Sequence, residues 1–282
     1  MIFRRLTRAV SFSGSGLHTG VSGTVTVVPN NEGRGVTLRR ERKAFPLEKC
    51  RFTGTGRGTE IFLPDGSSLK TPEHLFGALS GLGIWSAAIS AEGPEVPALD
   101  GCAATFASAL EEASRPLGAD ENMPGCAAVS VPVAVQDEAR RGVICAFPDD
   151  ELHISSVIDY EEEPIGTQLV DYRSSKDDFR RLFAPARTFA LESEIGALLE
   201  RGLAKGGSLE NAVVVGKKDV RASGGLRFAD EFVRHKILDI LGDLYLLGRP
   251  LRARIVALRS GHTLNCRLVE RILTGMNQKI SR

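Results

Sequence analysis

A chain of 282 residues can bury a core without staples, as one large domain or two medium ones. Its 36 basic and 35 acidic side chains leave a formal charge of +1, in short mixed runs, so no bulk field directs it to nucleic acid. Cys50, Cys102, Cys126, Cys145 and Cys266 are widely spaced, odd in number and form no CxxC pair, which points away from a disulfide framework and from a thiolate zinc knuckle.

The chain starts MIFRRLTRAVSFSGSG, without the apolar core of an export signal, and no later stretch is apolar for the eighteen or so residues of a membrane span. A reducing, cytoplasmic setting is expected, with surface contact to a membrane left open. Residues 6–12 read as a strand running into SGSGLHTG, a Gly/Ser turn that presents Leu17 and His18 before an alternating strand at 23–28. His18 either hydrogen-bonds the turn, the commoner use, or lines a cleft. A turn at 30–35, short strands at 36–39 and 59–63, a Gly/Thr-rich edge at 50–58 and the PDG turn at 64–66 complete an antiparallel rhythm.

At Thr71-Pro72-Glu73-His74 the period changes: Leu75, Ala78, Leu79 and Leu82 recur at helical spacing, with Thr71 expected as N-cap and Pro72 at the first helical position. Glu73 and His74 then occupy the first turn, where the helix field favours a carboxylate and where Glu73 needs no further role. The spacing is not HExxH, so no zinc-protease mechanism is carried over from it. A strand at 84–91 enters EGPEVPALDG, whose acids Glu92, Glu95 and Asp100 either hold a site group or serve the following helix, 103–113. Asp100 is expected to cap that helix. RPLGADENMPG at 115–125 is the linker, dividing the chain into units 1–120 and 127–282.

In the second unit, strands are expected at 127–135, 142–147, 151–160 and 168–172, and a short helix at 177–183. Residues 193–202 are helical in pattern, and RGLAKGGS breaks them before an apolar strand at 211–215. Gly206 and Gly207 there either wall an apolar slot or make an ordinary connection. A strand at 252–258 delivers His262 to a loop at the entrance of a terminal helix.

The most informative stretch is DEFVRHKILDILGDLYLLG, residues 230–248. On a helix, Ile237, Ile240, Leu241, Leu244 and Leu247 make one buried stripe, while His235 and Asp239 fall together on the other side. Their Cβ atoms are then about 6 Å apart and can reach one ion. Nitrogen with carboxylate oxygen suits zinc, although a solvated His/Asp pair is the plainer alternative. Gly242 projects beside the same face and would leave room for a metal or substrate, and Lys236 and Asp243 share a flank as a second row of the cleft.

Seven segments in order, SGLHTG, TPEHLFGALSGLGI, EVPALDG, ARTF, GLAKGGSLENAVVV, FVRHKILDILGDLYLLG and SGHTLN, resemble the UDP-3-O-acyl-N-acetylglucosamine deacetylase family, zinc amidases that commit lipid A (lipopolysaccharide) synthesis in Gram-negative envelopes. The resemblance implies an α+β fold of two similar domains, each a mostly antiparallel sheet layered with helices. The active site would lie at their interface, with a β-α-β insert near 190–215 in the second. It implies a zinc ion held by His74, His235 and Asp239 with a water completing the site, Glu73 as general base, His262 as oxyanion partner and general acid, and Asp243 orienting His262. Thr188 would contact the tetrahedral intermediate and Lys236 the substrate. Leu17, His18, Phe189, Ile195, Gly207, Ser208, Leu209, Ala212 and Val214 would line the substrate site and its apolar passage.

The implied substrate is the acylated UDP-sugar and the products include acetate. A cytoplasmic monomer that contacts no nucleic acid is expected, with a peripheral position at the inner membrane left open. Cys102 where Ser is frequent, Glu162-Glu163-Pro164 in place of a His-Pro pair, and Leu209 in place of an aromatic residue depart from the family pattern. Two other readings are a noncatalytic metal-stabilised module binding a nucleotide-sugar or lipid, which the Glu73 and His262 pair disfavours, and a metal amidase for another substrate.

Overall fold

The structure, a computed structural model, describes residues 2–30, 35–118, 121, 125–161 and 163–280, without the side chains of 277–280. Glu162 and parts of the 30–35 turn and the 115–125 linker lie outside the described residues. In chain order the first part runs β1 (Arg4–Leu6), β2 (Val10–Ser15), β3 (Ser22–Pro29), β4 (Val36–Arg40), β5 (Lys43–Pro46), β6 (Arg51–Gly54), β7 (Thr59–Phe62) and β8 (Ser68–Lys70). Helix α1 (Glu73–Gly81), β9 (Ala87–Glu92), α2 (Ala104–Glu112) and β10 (Ser114–Pro116) follow. Next come β11 (Ala127–Ala128), β12 (Val133–Asp137), β13 (Gly142–Phe147), β14 (Leu152–Tyr160), β15 (Gly166–Arg173), α3 (Phe179–Leu182), β16 (Phe189–Leu191) and α4 (Glu192–Glu200). The chain ends with β17 (Val213–Val215), β18 (Val220–Arg221), α5 (Glu231–Leu244), β19 (Leu251–Leu258) and α6 (His262–Ile280).

The result is an α+β protein with mixed sheets. One sheet has the order β2-β3-β9-β4-β5 and another β12-β13-β19-β14-β15, with β11 paired to β19. In both, the successive pairings run antiparallel, antiparallel, parallel, antiparallel. Period-two patterning drives each: Val25 and Val27 point inward while Ser11–Thr26 and Ser13–Thr24 hydroxyl pairs line the outside. On β19, Ala253, Ile255 and Ala257 are buried beneath outward Arg252, Arg254, Val256 and Leu258. Strand β16 runs parallel to β17, with α4 between them in sequence, and β18 closes this third sheet.

Helices α1, α2, α5 and α6 lie between the two large sheets, and one continuous apolar cluster joins them. Helix α5 is buried nearly all round, not along one stripe; all but Arg234 and Lys236 of its fourteen residues are buried. Gly77 makes the approach of α1 to α5 possible, because a Cβ there would lie 2.5 Å from Leu238 Cδ1. Among the described residues, no helix is long and apolar enough to cross a membrane.

Three local expectations are corrected. Helix α1 is entered from Pro72, whose carbonyl accepts from Phe76 N–H at 2.8 Å; Thr71 does not cap it. Thr71 has φ +50° and gives its hydroxyl to Glu95 Oε1 at 2.7 Å, since the buried carboxylate is the stronger acceptor. Ala103 is the N-cap of α2, and Asp100 pairs instead with Arg227 Nη2 at 2.9 Å. The strand expected at 127–135 is split into β11 and β12 by a segment containing Pro132, which has no N–H for a ladder.

One buried ion pair fixes the segment that precedes β16. Arg187 donates to Glu231 through its backbone N–H (3.0 Å), Nε (2.8 Å) and Nη2 (3.2 Å), and Arg227 N–H adds a bond of 2.7 Å to the same carboxylate. Burial alone would raise the Glu231 pKa, but these donors hold it below the ordinary carboxylate range. Glu231→Ala leaves the guanidinium buried and unpaired, so urea unfolding should show a loss of about 3–5 kcal/mol. A loss below about 1 kcal/mol would show that the pair does not anchor this segment.

Candidate active site

Helix α1 supplies Glu73 and His74 from its first turn, α5 supplies His235, Lys236 and Asp239, and the first residue of α6 is His262. The two helices meet because Gly242 lacks a side chain: a Cβ there would stand 2.1 Å from the Glu73 carbonyl oxygen. The room that Gly242 leaves is therefore filled by the α1 backbone, not by a metal or substrate as its helical position had suggested.

One ligand atom each from His74, His235 and Asp239 lie within 4.8 Å of one another. Asp239 Oδ1 is 3.4 Å from His235 Nε2 and 3.8 Å from His74 Nε2, close to the roughly 3.3 Å separation of ligands around tetrahedral zinc. Asp239 Oδ2 accepts from Lys236 Nζ at 2.9 Å, whereas Oδ1 is buried with no hydrogen-bond partner. His235 Nδ1 donates to the Ala186 carbonyl at 3.0 Å, which leaves Nε2 with its lone pair toward Asp239. Burial, then His235, lowers the His74 pKa to about 3, and burial also lowers that of His235, so both rings are neutral donors. Burial opposes charge on Asp239, but His235, Lys236, His262 and His74 together hold its carboxyl far below the usual range. Two neutral imidazoles and an orphaned anionic oxygen fit a divalent cation.

Beside this cluster, His262 Nε2 lies 3.7 Å from Glu73 Oε1 and 3.7 Å from Asp239 Oδ2. Its Nδ1 donates to Asp243 Oδ2 at 2.9 Å, and Asn265 Nδ2 donates to that same oxygen at 2.9 Å. Burial opposes a charged His262, but Asp243, then Asp239 and Glu73, raise its pKa to about 10. Burial, then Asp243 and Asp239, raise that of Glu73 to about 8 against the pull of His262. Positive charge at the three-residue cluster would lower the Glu73 value. Asp243 is fully buried behind His262 and lines neither of the two cavities described below.

The cluster opens into a cavity of about 380 Å³. Its lining includes Leu17, His18, Glu73, His74, Thr188, Phe189, Ile195, Gly207, Ser208, Leu209, Ala212, Val214, His235, Lys236, Asp239 and His262. Every residue that the resemblance gave a site role, except Asp243, thus lines one cavity. His18 lines the cavity and also spans three segments, with Nε2 at 2.9 Å from the Arg57 carbonyl and Nδ1 at 3.4 Å from Ala204 N–H. Phe189 packs edge-on against Phe232 at 5.0 Å between centroids, and Lys236 Nζ sits 5.3 Å above the Phe189 ring centre.

A second cavity of about 450 Å³ adjoins the first through Gly56, Arg57, Phe189, Ala190, Lys236 and His262, and brings in Arg140, Glu194 and Arg259. Sequence reasoning missed Arg57, Arg140 and Arg259, since single arginines in polar turns carry no periodic signal. Glu95, which the sequence left open between holding a site group and serving the following helix, accepts from His18 N–H (2.9 Å), Thr19 N–H (2.8 Å) and the Thr19 hydroxyl (2.7 Å). The EVPALDG segment contained that residue without revealing its partners.

Comparison with known proteins gives a concordant result. The family described as UDP-3-O-acyl N-acetylglycosamine deacetylase (LpxC) matches residues 4–274. The UDP-3-O-acyl-N-acetylglucosamine deacetylase of Chlamydia abortus is 40% identical over 274 residues, covering 96% of each chain. That of Chlamydia trachomatis serovar L2 is 38% identical over 280 residues, covering 98% of this chain and 96% of the relative. The Myxococcus xanthus relative of the same name is 36% identical over 274 residues, covering 96% and 86%.

The cluster should bind one divalent cation per chain, measured by elemental analysis after dialysis. His235→Ala should lose that metal. At a hundredfold excess over Kd, zinc should stabilise the parent by about 2.7 kcal/mol in thermal melts. Equal metal content in parent and variant would remove these residues from the ligand set.

Proposed function

Because the chain belongs to the UDP-3-O-acyl N-acetylglycosamine deacetylase family, we propose that it hydrolyses the N-acetyl amide of UDP-3-O-(3-hydroxyacyl)-N-acetylglucosamine. Acetate is released in a zinc-dependent step that commits lipid A synthesis. The observation that carries this reading is the orphaned Asp239 Oδ1 facing two neutral histidines, with Glu73 and His262 3.7 Å apart beside it. A noncatalytic module would need neither a base nor an acid.

His74, His235 and Asp239 would hold the zinc ion, which supplies Lewis-acid polarisation of the amide carbonyl and acidifies water. Glu73 takes the proton of the attacking water. His262, held protonated by Asp243, faces the negative charge that develops on the former carbonyl oxygen and then protonates the departing amine. Asp243 accepts from Nδ1 and so keeps the transferable proton on Nε2. The Thr188 hydroxyl contacts the tetrahedral intermediate; the Thr188 backbone is anchored because its N–H donates to the Gly101 carbonyl (2.8 Å) and the Thr188 carbonyl accepts from Val213 N–H (2.9 Å). Lys236 neutralises Asp239 and reaches toward substrate.

The apolar arm of the first cavity, with Leu17, Ile195, Leu198, Leu209, Ala212 and Val214, suits the fatty chain. The second cavity, where Arg57, Arg140, Arg259 and Lys236 stand against Asp137, Asp159 and Glu194, keeps an excess of cationic groups for the diphosphate. In this reading the two large sheets belong to two similar domains, 1–120 and 127–282, and β16–α4–β17 is the insert that forms the passage. A cytoplasmic location, peripheral to the inner membrane, gives access to an acylated substrate.

Glu73→Ala should reduce turnover of the acylated UDP-sugar by about 10²–10⁴-fold while metal content is retained. Equal turnover in the two proteins would remove Glu73 from the mechanism. The profile of kcat/KM against pH should be bell-shaped, with Glu73 deprotonation on the acidic limb and His262 deprotonation on the basic limb. Asp243 is the first among the charges raising His262, so Asp243→Asn should lower that pKa and move the basic limb to lower pH. An unmoved basic limb would assign it to another group. Shortening the acyl chain should lower kcat/KM by up to roughly 0.8 kcal/mol per CH₂, and indifference to chain length would empty the passage of its role.

A further inference from the structure

Thr59 is the first residue of β7, buried, and absent from the walls of both cavities. Each of its polar groups is nonetheless committed to the site. Its N–H donates to Glu73 Oε2 at 3.2 Å, and its hydroxyl donates to Asp243 Oδ1 at 2.6 Å. Its carbonyl accepts from Thr71 N–H at 2.8 Å, two residues before Glu73. Neighbouring Gly58 packs as closely, since a Cβ there would lie 2.9 Å from Glu73 Oε1.

Asp243 explains why this matters. Its Oδ2 takes both His262 Nδ1 and Asn265 Nδ2, and the Asn265 amide is itself oriented by Ser260 Oγ donating to Oδ1 at 2.5 Å. Among the described residues, the one hydrogen bond to Oδ1 comes from Thr59. Without that hydroxyl a carboxylate oxygen is left buried and unsatisfied, and the carboxylate that faces His262 is held through Oδ2 alone.

We propose that Thr59 is a positioning residue shared by both arms of the reaction, setting Glu73 through its N–H and His262 through the hydroxyl bond to Asp243. This rests on the deacetylase reading given above. Because Thr59 lines neither cavity, removing its hydroxyl is expected to act on the chemical step and not on substrate binding.

Thr59→Val keeps the shape and the N–H but removes the hydroxyl; Thr59→Ser restores the hydroxyl. With the zinc-loaded protein and the acylated UDP-sugar, Thr59→Val should lower kcat by about 10- to 100-fold with KM within about twofold. Thr59→Ser should stay within about threefold of the parent. In an Asp243→Ala background, Thr59→Val should have no further effect on kcat, because the group it orients is gone. Parental kcat in Thr59→Val, an equal loss in Thr59→Ser, or full additivity with Asp243→Ala would each overturn the inference while leaving the deacetylase reading intact. Absence of turnover in the parent would instead overturn that reading, and the inference with it. Thermal melts of all the variants separate a folding defect, which lowers active protein, from a change in the step itself.

Discussion

The contact on which the site depends is the seating of the first turn of α1 against α5 at Gly242. A methyl group at Gly242 would meet the carbonyl carbon of Glu73 at 2.8 Å and its oxygen at 2.1 Å. Backbone against backbone is the only packing that brings His74 within reach of a His235–Asp239 pair already fixed one helical turn apart. Gly77 repeats the device one turn along α1, against Leu238. Two missing side chains therefore do what no added side chain could, and Glu73 comes with His74 because it is the neighbouring residue.

That seating concentrates charge as well as donors. Glu73, Asp239 and Asp243 are buried within one small volume, opposed by Lys236 and His262. The carboxylates are not interchangeable, because their partners differ. Asp243 has both oxygens satisfied and serves as a fixed counter-charge, while Asp239 has one oxygen satisfied and one orphaned. Glu73 is desolvated enough for its proton affinity to reach the neutral range. On the proposed reading, these three environments suit an orienting group, a donor to a cation and a proton acceptor.

The sequence carried part of this plainly. Helix α5 was legible because its apolar positions repeat at helical spacing, and the i,i+4 relation of His235 and Asp239 follows directly from that period. Its full burial was not legible, since the polar face is covered by residues remote in the chain. Gly242 stood out but was read as open space, because a helical projection shows one helix and not the neighbour lying upon it. Thr71 and Asp100 looked like caps because local spacing is all that a cap rule uses; Glu95 and Arg227 offered stronger, nonlocal partners. Thr59 left no local signal at all. Its partners are 14 and 184 positions away, and a threonine at the head of a strand is ordinary. Motif resemblance gathered the cavity residues because it encodes tertiary proximity that periodicity lacks.

The cavity walls near residues 16–20 and 204–207 show how much of the site is set by backbone and how little by the side chains that face it. Gly206 N–H donates to the Leu17 carbonyl at 3.0 Å and Lys205 N–H to that of His18 at 3.2 Å, joining the N-terminal turn to the loop after α4. A Cβ on Gly206 would lie 2.2 Å from the Gly16 carbonyl, so this joint also depends on a missing side chain. Glu95 holds the other side of the turn through two N–H groups, and His18 ties it to Arg57. The walls are therefore positioned by bonds that survive most substitutions of the lining residues. Leu209, 44% exposed at the rim, can differ from an aromatic residue without moving the wall, and on the proposed reading what changes is how far an apolar chain is covered.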